Sequence, residues 1–574
     1  MTRWKGFRNG VLLFFLAGSA FFAGCAGLGT ERHEVAAPPQ AGCTQANTAV
    51  RDYFSRINSA PPELVKLLTL FPKGGDIHNH LSGTVMPEDY IAMGTAAGDC
   101  YDPQGYAITR PPCSVPANPP LSQAGPADRQ NLINTLSMND FGYPDIQSGH
   151  DHFFATFGKF GTVSGVSQGP MLAKLLQQAD GDSVDYVETM MSFQAQAVTT
   201  LSDSLRQRYP LTGPYYTDKR YYQEMYDYLL SQGLAQAVAM ARMDLSRSVN
   251  QARGLLGCGT PKPDPACAVS FRFLAEVNRN ADLAKVFTQT ALSFLLAKED
   301  DRVVGVNLVS GEDLPTSMQD FVPQMAIFGY QHTILPQVNI ALHAGEITPC
   351  FVGAGNPALK DHLTASIAAG AKRLGHGISF AFLDSQGKDE VVGMMRQQNT
   401  LVEVPMTSNA QILGIAGNDH PFPQYFRDNR LPTAFATDDE GVSHTNYTVE
   451  WIYAALQYGL RYEELVALAR FSLQYSFLPG APLWQDVRAA RIVAQCAGVV
   501  PGSPNPPESC RSFLQQSEKA GQQWGHEAAL ARFDQEHGDR LRRYAGSSSS
   551  PCVPQGERRP GKDKARNHGW LRAL

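Results

Sequence analysis

Four short segments of this chain concentrate residue types that can hold a metal ion and move protons. The first is Asp76-Ile77-His78-Asn79-His80-Leu81. Side chains alternate across a β-strand, so two histidines one residue apart point to the same side, and at a strand's end both imidazoles can reach one ion. Alone the pattern is weak, because two surface histidines on a polar edge would show the same spacing. The second segment is Ala341-Leu342-His343-Ala344-Gly345-Glu346. A histidine ends an apolar run, and a carboxylate follows three residues later, past a glycine that lets the backbone turn tightly. The third, Leu374-Gly375-His376-Gly377, sets a histidine between glycines with little to bury it. The fourth is Ala436-Thr437-Asp438-Asp439-Glu440-Gly441. Its adjacent carboxylates repel one another unless a cation or a donor holds them; a solvated acidic turn is the plain alternative. Neutral imidazoles with a carboxylate suit zinc, and a catalytic zinc keeps one position for water.

These side chains need elements that bring them together. Short apolar, β-rich stretches alternate with longer helical ones, and the expected strands are residues 75–81, 183–191, 235–243, 303–309, 338–343, 373–377, 400–404 and 432–437. Eight β/α repeats predict an α/β fold, the TIM (β/α)8 barrel. An N-terminal helical extension covers residues 47–70. An insertion follows the first strand, about residues 86–150, and its Pro- and Gly-rich part, 99–128, reads as a loop. Each motif then falls at the C-terminal end of a different strand, the rim where barrel enzymes place their chemistry. The chain has 574 residues, 43% hydrophobic and 18% charged, which supports a large core and excludes global disorder. A net charge of -6 with no dominant basic face argues against nucleic acid as a partner.

The ends read differently. Arg3, Lys5 and Arg8 precede an apolar run, 11–23, that is too short for a comfortable membrane span, and Phe22-Ala23-Gly24-Cys25 follows. This describes an export signal, and its ending resembles a bacterial lipobox with Cys25 as the lipidated residue. An ordinary cleaved signal with an incidental cysteine is the alternative. The expected organisation is a lipoprotein signal peptide at 1–25, a tether at 26–46, the barrel at 47–545 and a disordered basic tail at 546–574. The expected location is outside the cytoplasm, anchored to a membrane and facing the periplasm or the cell surface. In that oxidising setting Cys100/Cys113, Cys258/Cys267 and Cys496/Cys510 are plausible local disulfides. Cys43, Cys350 and Cys552 are left unassigned.

Taken in order, His-x-His-Leu, His-Ala-Gly-Glu, Gly-His-Gly and Thr-Asp-Asp resemble the adenosine deaminase family of metal-dependent amidohydrolases. The extended N-terminus, the insertion and the export signal are similar to its extracellular, growth-factor-related branch and to bacterial lipoprotein relatives. The resemblance runs from about Lys73 to Tyr447, with family-like helical sequence towards Arg543. It implies that His78, His80, His343 and Asp438 bind one zinc ion per chain, which lowers the pKa of a water for attack at C6 of a purine nucleoside. It implies that Glu346 donates a proton to N1, that His376 orients or deprotonates the water, and that Asp439 hydrogen-bonds N7. The implied reaction is hydrolysis of adenosine, and of deoxyadenosine, to the inosine product plus ammonia.

Two departures bear on the substrate. Ser82-Gly83 stands where the family has an Asp that contacts the ribose 5′ side, so Ser82 offers a hydroxyl without charge. The segment Gly305–Asp313 resembles the family's Asp-Leu-Ala-Gly-Asp-Glu with Asn307 for Asp, which places Ser310 and Gly311 at the purine N3 edge. No lysine lies on that strand, which disfavours a carbamate-bridged pair of metals. Phe153, Phe154 and Phe157 at helical spacing fit an apolar lid or ordinary packing. His150-Asp151-His152 reads as an exposed loop, Ser408 and Asn409 as rim support, and His420-Pro421 as structural. Two alternatives stay open: a deaminase of the same fold for another aminopurine, and a non-catalytic nucleoside-binding surface lipoprotein. The intact Glu346, His376 and four ligand positions argue against the second.

Overall fold

Eight strands hydrogen-bond in chain order into one sheet. They are β1 (Gly75–His80), β2 (Tyr186–Met191), β3 (Ser270–Asn278), β4 (Val303–Val309), β5 (Asn339–Ala344), β6 (Arg373–His376), β7 (Leu401–Val404) and β8 (Thr433–Phe435). Every neighbouring pair is parallel. The sheet closes where β8 meets β1: the His80 amide donates to the Asp438 carbonyl and the Asp438 amide to the His78 carbonyl, both at 3.0 Å. Helices connect the strands, so the chain is a TIM barrel. This computed structural model describes residues 42–211 and 218–545. The export signal, Cys25, most of the tether, the basic tail and Cys552 lie outside the described residues.

Seven strands fall on the expected stretches and one does not. Residues 235–243 belong to a helix, Leu234–Leu255. Leu234, Ala237, Val238, Ala241 and Leu245 are buried, and steps of three and four trace one helical stripe. The third strand is β3, whose Arg272 and Glu276 interrupt its apolar run and masked it.

The barrel interior carries charge as well as aliphatic side chains. Arg373 at the start of β6 makes ion pairs of 2.7 Å with Glu188 of β2 and with Glu403 of β7. It also donates to the Ile77 carbonyl at 3.2 Å and lies 3.8 Å from the centre of the Phe477 ring. All three charged side chains are buried.

Around the barrel, the helices Thr48–Asn58 and Pro62–Leu70 form the expected N-terminal extension. The Tyr53 hydroxyl meets that of Thr407 at 2.6 Å and fastens the extension behind the rim. The Pro-rich part of the insertion is more ordered than a plain loop. It forms a small antiparallel ribbon, Cys100–Tyr101 with Ile108–Thr109, closed by Cys100–Cys113. A helix, Ile146–Ser164, follows, so the insertion runs past residue 150. Cys258–Cys267 and Cys496–Cys510 are also bridged. A fourth disulfide joins Cys43 to Cys350, 307 residues apart.

Candidate metal centre and proton-transfer site

The four motifs converge on one end of the barrel. His78 and His80 end β1, His343 lies in β5, His376 ends β6, and Asp438 follows β8. His78 Nε2 and His80 Nε2 each lie 3.3 Å from Asp438 Oδ1. His80 Nε2 lies 3.2 Å from His343 Nε2. His376 Nε2 is 3.8 Å from Asp438 Oδ2 and 3.7 Å from Glu346 Oε1. Ligand-type atoms of His78, His343, His376 and Asp438 all lie within 4.8 Å of one another, and so do those of His80, Asp438 and Asp439.

Two backbone features make this convergence possible. A Cβ on Gly375 would sit 2.4 Å from the His78 ring, so only glycine leaves that imidazole its place. A Cβ on Gly83 would fall 1.5 Å from Asp439 Oδ1, so the turn after β1 packs against that carboxylate only because it carries none. His376 (φ 66°), Asp438 (φ 59°) and Ser310 (φ 84°) adopt left-handed backbone at the ends of three strands. For residues with a side chain this conformation costs energy and tends to mark sites where geometry matters.

Behind the cluster each imidazole has a partner at Nδ1. His78 Nδ1 lies 2.7 Å from Glu403 Oε2, and His80 Nδ1 lies 2.9 Å from Glu276 Oε1. His343 Nδ1 lies 3.0 Å from Asn307 Oδ1, which also accepts the His343 backbone N–H at 3.1 Å. Acceptors at Nδ1 leave the Nε2 lone pairs of these three rings directed at the cluster. Ser408 donates to Asp438 Oδ2 at 2.6 Å, and Asn409 lies 2.9 Å from His376 Nδ1. His78 Nε2 and Asp438 Oδ1 are buried without a hydrogen-bond partner among the described residues. Buried polar atoms are rarely left so, and three imidazoles with a carboxylate form a donor set that fits a zinc-type cation.

Glu346 is buried beside this cluster, and its loop is held by Glu312. The two carboxylate oxygens of Glu312 accept the backbone N–H groups of Gly345 (3.2 Å) and Glu346 (2.6 Å). Glu312 in turn meets His362 Nδ1 at 2.7 Å and Arg279 at 3.6 Å. Burial works against the Glu312 charge, but Arg279 and His362 hold its carboxyl down to about 2. The opposite holds for Glu346: burial, then the Asp438 and Glu312 charges, push its carboxyl well above the usual range. Two glutamates side by side thus favour different protonation states. Burial pushes His376 down to about 4, with Asp438 opposing and His78 adding to the shift.

The remaining expected positions are also at the rim. Asp439 is buried against the turn after β1; burial pushes it up to about 8, His80 opposing and Asp438 adding. Ser82 is half-buried, and its carbonyl accepts from the Tyr90 hydroxyl at 2.6 Å. Ser310 and Gly311 follow β4 and are tied together by Asn280, whose amide donates to Ser310 Oγ (3.0 Å) and the Gly311 carbonyl (2.9 Å).

His150 and His152 are not in an exposed loop. Both lie in the Ile146–Ser164 helix, where His150 is buried, 3.2 Å from Asp313 Oδ1 and in tilted ring contact with Phe154 and Phe351. The helix is capped by Asp145, a signal the exposed-loop reading of His150-Asp151-His152 overlooked. Phe153 is core, whereas Phe154 and Phe157 are half-buried. The sequence reading missed Glu276, Arg279, Glu312 and Glu403. Glu403 had a signal, because Leu401-Val402-Glu403-Val404 sets one charge inside an apolar strand.

Residues 248–483 match the family model described as adenosine deaminase. Over that segment the chain is similar to the adenosine deaminase family. The matched segment holds His343, Glu346, His376, Asp438 and Asp439, and β1 with His78 and His80 completes the rim. Curated relatives include the N6-methyl-AMP deaminase of Danio rerio, 28% identical over 37% of this chain and 56% of that protein. The adenosine deaminase of Enterococcus faecalis is 30% identical over 30% of this chain and 46% of its own length. The chain thus spans about half the length of these relatives. Among solved structures, the apo N6-methyl-AMP deaminase from Arabidopsis thaliana aligns with a TM-score of 0.46 at 17% identity, over 72% of this chain and 94% of that one.

Proposed function

We propose that this protein hydrolyses the 6-amino group from a 6-aminopurine nucleoside, with adenosine and deoxyadenosine as the leading substrates. The observation that carries the reading is the protonated-type Glu346 placed beside His78, His343, His376 and Asp438, whose ligand-type atoms lie within 4.8 Å of one another. His78, His80, His343 and Asp438 would hold zinc, which when bound supplies the Lewis acidity that makes water nucleophilic near neutral pH. The chain's own groups do the rest. Glu346 delivers its proton to ring N1, so the ring accepts the electron pair as C6 becomes tetrahedral. His376 orients the attacking water beside Asp438. Asp439 meets the N7 edge, and Ser310 with Gly311 meets the N3 edge. One proton of the added water passes to the 6-amino group and the other restores Glu346; the C6–N bond breaks with its electron pair going to nitrogen, ammonia leaves, and the 6-oxopurine remains.

Ser82 favours testing a wider set of substrates, because it offers the sugar a hydroxyl in place of a charge. The named activity of the Danio rerio relative makes N6-methylated aminopurines, which would release methylamine, the second reading. The test is a panel of aminopurine nucleosides and nucleotides, followed by amine release and the absorbance change at the purine, together with metal analysis. Adenosine turnover with one zinc per chain, lost in Glu346→Ala, is the expected result. Silence on adenosine with turnover of another aminopurine would replace the substrate, and no turnover by the metal-loaded protein would overturn the enzyme.

We propose further that the protein works outside the cytoplasm, held by a lipid at Cys25; four disulfides accord with an oxidising compartment. Labelling with palmitate, lost in Cys25→Ala, is expected; an unlabelled wild type would exclude the anchor.

A further inference from the structure

His376 differs from the other three imidazoles in what lies behind it. His78 and His80 face carboxylates, and His343 faces an Asn307 oxygen that a backbone N–H already fixes in place. All three therefore carry the proton on Nδ1. His376 Nδ1 faces the side-chain amide of Asn409, whose two ends are exchanged by a half-turn. The far end of that amide lies 3.0 Å from His420 Nε2. His420 is buried, and its Nδ1 accepts the backbone N–H of Phe422 at 3.0 Å.

This chain of contacts has one arrangement without two donors face to face. The Phe422 N–H is a fixed donor, so His420 Nδ1 is bare and His420 Nε2 carries the ring's proton. Turning the His420 ring over would present carbon to the buried Phe422 N–H, at the cost of an unmade hydrogen bond. The Asn409 oxygen must therefore face His420, and its NH2 group must face His376. His376 Nδ1 then accepts, and the proton of that ring sits on Nε2. Nε2 is buried without a hydrogen-bond partner among the described residues, 3.7 Å from Glu346 and 3.8 Å from Asp438.

We propose that His420 and Asn409 are positioning residues that fix His376 as its Nε2–H tautomer, making it a hydrogen-bond donor to oxygen in the site. A ring with a proton on Nε2 cannot use that atom as a metal ligand. The relay thus sets His376 apart from His78, His80 and His343, though all four rings crowd the same space. In the deaminase reading, on which the kinetic part of the test rests, His376 donates to the attacking oxygen and does not take its proton at Nε2.

Neutron diffraction from crystals of the zinc-loaded protein in heavy water reads the proton positions directly. A deuteron on Nε2 of His376, with deuterons on Nδ1 of His78, His80 and His343, is the expected map; a deuteron on His376 Nδ1 overturns the proposal. Asn409→Asp supplies the second measurement. Its carboxylate still accepts from His420 but can only accept from His376, so it forces the proton onto Nδ1. Removing one aimed donor of this kind lowers kcat by roughly 100-fold. That fall is expected with KM and zinc content within about threefold of wild type, and an unchanged kcat would overturn the proposal. If the wild type turns over no aminopurine, the deaminase reading fails while the neutron map still decides the tautomer.

Discussion

Two regions of the barrel interior bury charge, and they handle it in opposite ways. Around Arg373 the charges are internal to the protein: one guanidinium lies 2.7 Å from each of two carboxylates and stacks on an aromatic ring. At the rim, Asp438 Oδ1 and His78 Nε2 are equally buried, lie 3.3 Å apart and make no hydrogen bond among the described residues. Burying an ion pair is tolerable when the partners compensate each other's lost hydration. An array of lone pairs without a cation is not compensated from within, so its stability depends on something supplied from outside. The contrast separates a strut from a receptor, although both are made of the same residue types a few ångströms apart.

Removing the supplied cation should have the largest effect. Stripping the metal with a chelator, or substituting Asp438→Ala, is expected to lower turnover by roughly 1000-fold or more, since a Lewis acid contributes several kcal/mol. Activity that survives complete metal loss, measured by elemental analysis on the assayed sample, would erase the contrast. Next comes the strut. Arg373→Met leaves two carboxylates buried without their partner and should cost about 3–5 kcal/mol in denaturant unfolding. The folded fraction should still bind zinc; loss of zinc at unchanged stability would show that the two regions are not distinct. The smallest effect is expected at Glu403, which touches both, Arg373 through one oxygen and His78 through the other. Glu403→Gln should weaken zinc binding about 10–100-fold in a chelator competition, because a partner behind a ligand is altered and the ligand is not.

The rim was legible in the sequence because its residues cluster in short motifs at strand ends. His343 and Glu346 are three residues apart, and Asp438 and Asp439 are adjacent, so neighbours in the chain remain neighbours in space. The supporting layer was not legible, because it is assembled across strands. Glu403 reaches His78 over 325 residues, and Glu312 reaches the Glu346 backbone over 34. The missed strand has a related cause. β3 carries Glu276 towards His80, so the residue that supports the site is what broke the strand's apolar pattern. The helix mistaken for a strand, Leu234–Leu255, opens on a run of alanine, valine and methionine, and its buried stripe shows only over about three turns. His150 was hidden by its glycine and aspartate neighbours, which form a helix start rather than a loop.

The Cys43–Cys350 bridge has a consequence in the order of synthesis. Three of the disulfides join cysteines next to each other along the chain, so each can close as soon as its second cysteine appears. Cys43 appears before all of them and must pass over Cys100, Cys113, Cys258 and Cys267 to reach its partner. Its partner lies four residues beyond Glu346. The first of the bridged cysteines to be made is therefore the one whose bond must wait longest, closing only after two local bridges can have formed and before Cys496 and Cys510 are made.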